Sequence, residues 1–290
     1  MNLLTFDIED WYHINYPPTD FTRYDREEDH QALLKRLQDI LTLCREFGAR
    51  GTFFVLGRLL EKCPRLGEAI LTAGQELALH GYEHHLLRDQ GPDRFQHDLE
   101  RAIRAYEAVA GKQPLGFRAP SWSVGKDSFW ALPILEAFGF AYDASVFPIK
   151  NFLYGLPRAP LRPFFPRLAG QRLRLLEIPV SVFIWGSQRL PYSGGIYFNL
   201  WPLALIRYFS RRRLEQGGYN LFYFHPWDLW ARPRELTRRL KARWLQLHLG
   251  DTRKKFEQIL IRFRPRAIAD ELASLKEQAG PADPAGGHGD

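Results

Sequence analysis

Short apolar runs alternate with stretches of helical periodicity along the first 143 residues, and this alternation constrains the fold more than any other feature. Residues 3–8, LLTFDI, are an apolar run with a β-branched residue, ended by acids, as in a buried first strand. Residues 31–48 place Leu33, Leu34, Leu37, Ile40, Leu41 and Phe47 at helical spacing, and Gly48 closes the helix. GTFFVLG (51–57) predicts a second buried strand. A helix over 64–73 starts at Pro64 and stops at Gly74, and ELALHG (76–81) predicts a third strand ending in His80. An amphipathic helix over 92–110 stops at Gly111. A short strand then leads into Arg118, followed by a helix over 126–138 and a strand near Phe140–Asp143.

This order predicts a parallel sheet with helices outside it, as an open wound sheet or a barrel. In both, ligands bind at the carboxyl ends of the strands. The 290 residues suffice for one large α/β domain or two small ones. Residues 150–172, rich in Pro, Arg and aromatics, read as a long irregular segment. A strand resumes over 173–183, a basic helix spans 202–216, and YNLFYFHP (219–226) is an aromatic strand ending at His225. Helices are expected over 234–248, 252–263 and 266–278, and a flexible tail over 280–290.

Composition excludes several classes. Cys44 and Cys63 both fall in helical segments, so no disulfide framework is indicated. MNLLTFDIEDWY lacks the basic and apolar regions of a secretory signal. No run of about 18 apolar residues predicts a membrane span. A cytoplasmic protein is the expectation. The net charge of +7 is uneven: residues 201–266 hold 16 Lys/Arg against 5 Asp/Glu, whereas residues 1–200 hold 23 of each. Arg211, Arg212 and Arg213 end the helix over 202–216, and Arg238, Arg239, Lys241 and Arg243 follow, with Trp201, Trp230 and Trp244 nearby. Such a region reads either as solvated helix faces or as a surface for an anionic membrane leaflet or lipid-pyrophosphate-linked glycan. No recognition motif for nucleic acid accompanies it.

The polar residues that stand out sit at predicted strand ends. Asp7, Glu9 and Asp10 close the first strand, and alternation puts Asp7 and Glu9 on one face. His80 and His84, four apart with Gly81 between, can converge on one divalent transition metal together with a carboxylate. Alone the histidine pair is weak; beside an acidic strand end it is much stronger. Arg118 can pair with a carboxylate and hold it ionised, and His225 can serve as a general acid.

Taken in order, the acid pair, His80-x3-His84, RAPSWS (118–123), Tyr142-Asp143 and FYFHPWDL (222–229) resemble the polysaccharide deacetylase family, the NodB-like carbohydrate esterases. The resemblance covers about residues 3–230. GTFFVLG, HGYEHH (80–85) and LPYSGGIYFNLWP (190–202) are similar to a subgroup associated with bacterial exopolysaccharide assembly, whose C-terminal extension resembles residues 230–264.

That resemblance implies a distorted (β/α) barrel with a C-terminal helical extension: a deacetylase domain over 1–230, the extension over 231–279 and a tail over 280–290. It implies Asp7 as general base, oriented by Arg118, and His225 as the acid that protonates the leaving amine. One divalent ion, zinc by its donor set, would be held by His80, His84 and an acid just after Asp7, with Trp122, Asp143 and Tyr223 at the substrate and the Trp122 backbone at the oxyanion. Two departures matter. Residue 8 is Ile where the family commonly has a second Asp, so the metal carboxylate is Glu9, favoured by same-face geometry, or Asp10. Asp143-Ala-Ser-Val146 lacks the Trp that commonly ends its motif. The expected substrate is an N-acetylhexosamine glycan, met by a cytoplasmic enzyme peripheral at the inner membrane. A small-amide, allantoinase-like hydrolase and a silent glycan-binding module are the alternatives.

Overall fold

The computed structural model describes residues 1–13, 15, 25–151, 154–229 and 251–286. Five parallel strands form its first half: β1 (Asn2–Ile8), β2 (Thr52–Val55), β3 (Glu76–Leu79), β4 (Gly116–Phe117) and β5 (Tyr142–Asp143). The strand Leu176–Glu177 adds in parallel to β5, and Asn220–Phe224 adds in parallel to the other edge of β1. This succession is that of the expected distorted barrel. The gap between Leu176–Glu177 and Asn220–Phe224 is bridged without a continuous ladder. Ser181 Oγ donates to Tyr219 O at 3.0 Å and accepts from Leu221 N at 2.8 Å, and Tyr223 N donates to Ser193 O at 3.1 Å.

Alternation along the strands sorts side chains into two cores. Leu4, Phe6 and Ile8 of β1, Phe53 and Val55 of β2, Leu77 and Leu79 of β3, and Phe222 and Phe224 face the helices. Leu3, Phe54, Ala78, Tyr142, Leu176, Leu221 and Tyr223 fill the interior. By the same period Thr5 and Asp7 point inward, and this places a carboxylate inside the barrel. Ile8, at the departure from the family pattern, is fully buried among the outward side chains.

Helices cover the outside: α1 (Glu27–Glu46), α2 (Gly57–Lys62), α3 (Arg65–Thr72), α4 (Leu87–Gln90), α5 (Pro92–Ala110) and α6 (Ala131–Ala137). α1 begins four residues before the expected start at residue 31, because Glu27, Glu28 and Asp29 suit the positive helix start. α2 is a helix the sequence reading assigned to no element. The helix Leu203–Glu215 is as expected, but Arg213 is buried and donates to Tyr219 O, Val182 O and Leu161 O. Helices Thr252–Phe263 and Ile268–Gln278 also form. Phe256 lies 5.9 Å from Phe6 and 5.0 Å from Phe224, ring centre to ring centre, sealing the outer face of β1.

Three corrections concern the second half. Phe164–Leu168, expected to be irregular, is a strand. The expected strand over 173–183 is split, and Val182–Trp185 turns into an antiparallel hairpin with Gln188–Pro191. Gly280–Ala282, expected in a flexible tail, pairs in parallel with Phe164–Pro166. The expected helix over 234–248, with Arg238, Arg239, Lys241, Arg243, Trp230 and Trp244, lies outside the described residues. Cys44 and Cys63 are free thiols.

Candidate active site

The ends of β1, β3, β4 and the strand Asn220–Phe224 bring the singled-out residues together. Asp7 is buried at the end of β1, where Arg118 Nη1 donates to its Oδ1 at 2.6 Å. Arg118 is fully buried. Its Nη1 also donates to Thr5 Oγ1 at 3.0 Å, and its Nε donates to Ala144 O at 3.1 Å. The guanidinium lies 4.1 Å from the Phe54 ring and 4.4 Å from that of Trp122. A cation so enclosed requires a charge partner, and Asp7 is that partner.

Glu9, His80 and His84 converge, each offering a ligand atom within 4.8 Å of the others, and all three are buried. Positive φ at Gly81 (77°) and His84 (62°) turns the chain after β3 so that the two imidazoles meet. His80 Nδ1 donates to Arg118 O at 2.8 Å, which leaves the Nε2 lone pair facing Glu9 Oε2 at 3.9 Å. Burial, opposed by Asp7 and Glu9, pushes the His80 imidazole down to about 4, so it is neutral. Burial pushes the Glu9 carboxyl up, but His84, then His225 and His80, outweigh it and hold it at about 2. Glu9 Oε2 and His84 Nε2 touch, yet neither has a well-formed hydrogen bond. A buried carboxylate oxygen converging with the nitrogens of two buried imidazoles fits a divalent cation. Asn15 lies against this group, with Nδ2 3.1 Å from His84 Nδ1 and donating to Ser121 Oγ at 3.1 Å.

Asp10 is engaged elsewhere. Arg36 Nη1 donates to its two oxygens at 3.1 and 3.2 Å, and Trp11 N donates to Oδ1 at 2.8 Å. Of the two acids the sequence left open, Glu9 is the one that faces the histidines.

His225 closes the site from the far edge of β1. Its Nε2 lies 3.9 Å from Asp7 Oδ2 and 3.7 Å from Glu9 Oε1, and its Nδ1 is 2.9 Å from Asp228 Oδ2. Burial pushes this imidazole down, but Asp228, Glu9 and Asp7 outweigh burial and raise it to about 9. Trp227 stacks on the ring at 4.6 Å. Asp228 was missed as a site residue; its signal was an acid three positions after a strand-ending histidine.

Three expected substrate contacts lie deeper than the resemblance implies. Trp122 packs its ring 5.1 Å from Tyr223, and its backbone N–H donates to Ala119 O at 3.2 Å, so that amide is engaged in its own turn. Tyr223 is buried, packed against Gly194 and Gly195. Asp143 is fully buried beneath Arg118, with Oδ1 accepting from Ser145 Oγ, and does not face a substrate.

Comparison with known proteins gives the relatives of this chain. Residues 27–141 match the family described as polysaccharide deacetylase, and residues 144–272 match a domain family of unknown function, DUF3473. A 95-residue segment is 38% identical to the peptidoglycan deacetylase-like protein FGM2 of Gibberella zeae, covering 33% of this chain and 27% of that protein. The matched segment thus spans about a quarter of that relative's length. The crystal structure of a protein described as a "putative polysaccharide deacetylase from Mycobacterium smegmatis" superposes with a TM-score of 0.62 at 26% identity, covering 96% of this chain and 90% of that one. Puue allantoinase superposes with a TM-score of 0.56 at 15% identity, covering 97% and 86%, which shows a shared fold alone.

Proposed function

Because residues 27–141 match the polysaccharide deacetylase family, we propose that the chain is a metal-dependent hydrolase removing N-acetyl groups from N-acetylhexosamine units of a bacterial exopolysaccharide or its lipid-linked precursor. The observation that carries this reading is the convergence of Glu9, His80 and His84 beside an Asp7 held by Arg118.

Glu9, His80 and His84 would hold one divalent ion, zinc by the chemistry of a carboxylate and two imidazoles. When bound, that ion supplies a Lewis acid and a water of lowered pKa. Asp7 takes the proton of the attacking water. Arg118 Nη1, 2.6 Å from Asp7 Oδ1, orients the carboxylate and leaves its other oxygen open for that proton. His225, steered by Asp228, faces the same space from the opposite side and protonates the leaving amine. The C-terminal helices form an extension of a catalytic domain over 1–230 and stiffen β1 from outside.

The test is acetate release from chitooligosaccharides, with small cyclic and linear amides as comparison. Release from the glycan, abolished by chelation and restored by zinc, is the expected result. Hydrolysis of the small amides alone overturns the glycan assignment.

The basic residues after 201 support a further element of the proposal, a cytoplasmic enzyme resting on an anionic leaflet. Arg211 and Arg212 are exposed one turn from the half-exposed Tyr208, and Trp185 is 61% exposed.

A further inference from the structure

Beneath Arg118 lies a pair of carboxyl groups that the proposed reaction does not use. Asp143 of β5 and Glu177 of the neighbouring strand are direct partners in the parallel ladder, and both are fully buried. Each has one oxygen engaged. Asp143 Oδ1 accepts from Ser145 Oγ, and Glu177 Oε1 accepts from Val146 N at 2.9 Å. The remaining oxygens, Asp143 Oδ2 and Glu177 Oε2, are buried and reach no donor. Register places the two side chains beside each other on one face of the sheet, where the charge of each acts on the other. Two carboxylates at this depth do not both ionise. One proton between the orphaned oxygens satisfies both and leaves the pair with a single negative charge.

The residues this pair fixes are those that fix Arg118. Asp143 and Glu177 together clamp the segment 143–146 through Ser145 Oγ and Val146 N. That segment presents Ala144 O to Arg118 Nε, and Ser145 Oγ accepts from Ala119 N at 2.7 Å, next to Arg118. Among the described residues, the charged and titratable groups facing the pair are Arg118, whose charge acts on Asp143, and Tyr219, which burial keeps neutral.

We propose that Glu177 is a positioning residue: a protonated carboxylic acid that donates to the Asp143 carboxylate, so that one shared proton fixes both the acceptor and the charge that hold Arg118 on Asp7. Burial and the charge of Asp143 push Glu177 well above the ordinary carboxyl range, and burial raises Asp143 to about 6, in keeping with such sharing. Loss of that proton at high pH puts a second negative charge beside Arg118 and draws the guanidinium from Asp7. The inference rests on Asp7 being the base, but the shared proton is measurable without turnover.

The test compares the full chain with Glu177→Gln and Glu177→Leu. Gln retains a donor toward Asp143 and an acceptor for Val146 N; Leu retains neither. Infrared difference spectra of wild type against Glu177→Gln should contain the carbonyl stretch of a protonated carboxylic acid. Wild-type stability should fall as pH rises from about 4, the ordinary carboxyl value, because the folded state holds this proton more tightly than the unfolded chain. Glu177→Gln should lack that fall. In the acetate-release assay Glu177→Gln should stay within about threefold of wild type and extend the active range to higher pH, whereas Glu177→Leu should lose about tenfold or more in kcat with KM little changed. Absence of the protonated-acid band, or melting curves of Glu177→Gln that follow wild type at every pH, overturns the shared proton. A Glu177→Gln enzyme as impaired as Glu177→Leu, with an unmoved pH profile, overturns the positioning role. Wild type that releases no acetate but passes the infrared and melting tests fails the functional reading alone.

Discussion

Arg118 and Asp7 are 111 residues apart in sequence and meet at 2.6 Å inside the barrel, with almost none of either side chain exposed. The ion pair joins the end of β1 to the end of β4, and the next strand supplies its third contact through Ala144 O. A guanidinium buried this deeply needs a charge partner, and Asp7 supplies it. Asp7→Asn keeps the shape but cannot accept a proton. Its turnover should fall by about 10²–10⁴, as for loss of a general base. Steady-state kinetics with parallel metal analysis checks this; a variant near wild-type rate transfers the base role to another acid.

The adjacent acids separate by partner, and that makes the metal ligand testable. Glu9 faces His80 and His84, while Asp10 is tied to Arg36 and the backbone of Trp11. Glu9→Ala, His80→Ala and His84→Ala should each abolish stoichiometric metal binding in elemental analysis. Asp10→Asn should retain the metal and instead lower stability, since a half-buried Arg36 loses its charge partner. Metal lost from Asp10→Asn and kept by Glu9→Ala would reverse the assignment.

Gly194 is a packing requirement. Its backbone is extended, at φ 177°, so conformation does not demand glycine there. Space does: a Cβ would stand 1.9 Å from Tyr223 O and 2.5 Å from its ring. Gly194→Ala should therefore cost about 1–3 kcal/mol through overpacking. Because Tyr223 precedes His225 by two residues, it should also reduce turnover. Calorimetry alongside kinetics reads both, and an unchanged melting temperature refutes the contact.

The sequence disclosed what alternation and strand endings encode. The period of β1 put Asp7 and Glu9 on one face, and His80, Arg118 and His225 each ended an apolar run. What it could not disclose is partnership across the fold. Asp10 and Glu9 are equivalent as letters; only Arg36, one helix away, separates them. Glu177 sits in an apolar strand and reads as an isolated acid, because its meaning comes from register with Asp143. The hairpin Val182–Trp185/Gln188–Pro191 was hidden because its turn carries a single glycine, Gly186, and its return strand, Gln188-Arg189-Leu190-Pro191, holds no apolar run.

The three consecutive arginines 211–213 give the membrane proposal its sharpest test, since they are alike in charge and unlike in place. Arg213 is buried and satisfies three backbone carbonyls, so it contributes little charge to any surface. Arg211 and Arg212 are exposed, although Arg212 is paired with Glu215 at 2.8 Å. Each basic residue near an anionic leaflet contributes about 1 kcal/mol. Arg211→Ala should thus weaken co-sedimentation with anionic vesicles about fivefold at low salt, leaving the melting temperature unchanged. Arg213→Ala should do the reverse: leave vesicle binding of the folded protein intact and lower stability by about 1–3 kcal/mol, because buried carbonyls lose their donor. Binding should vanish with neutral vesicles and decline as salt screens the charges. If wild type fails to sediment with anionic vesicles at low salt, the enzyme works away from the leaflet and the exposed arginines are solvated surface only.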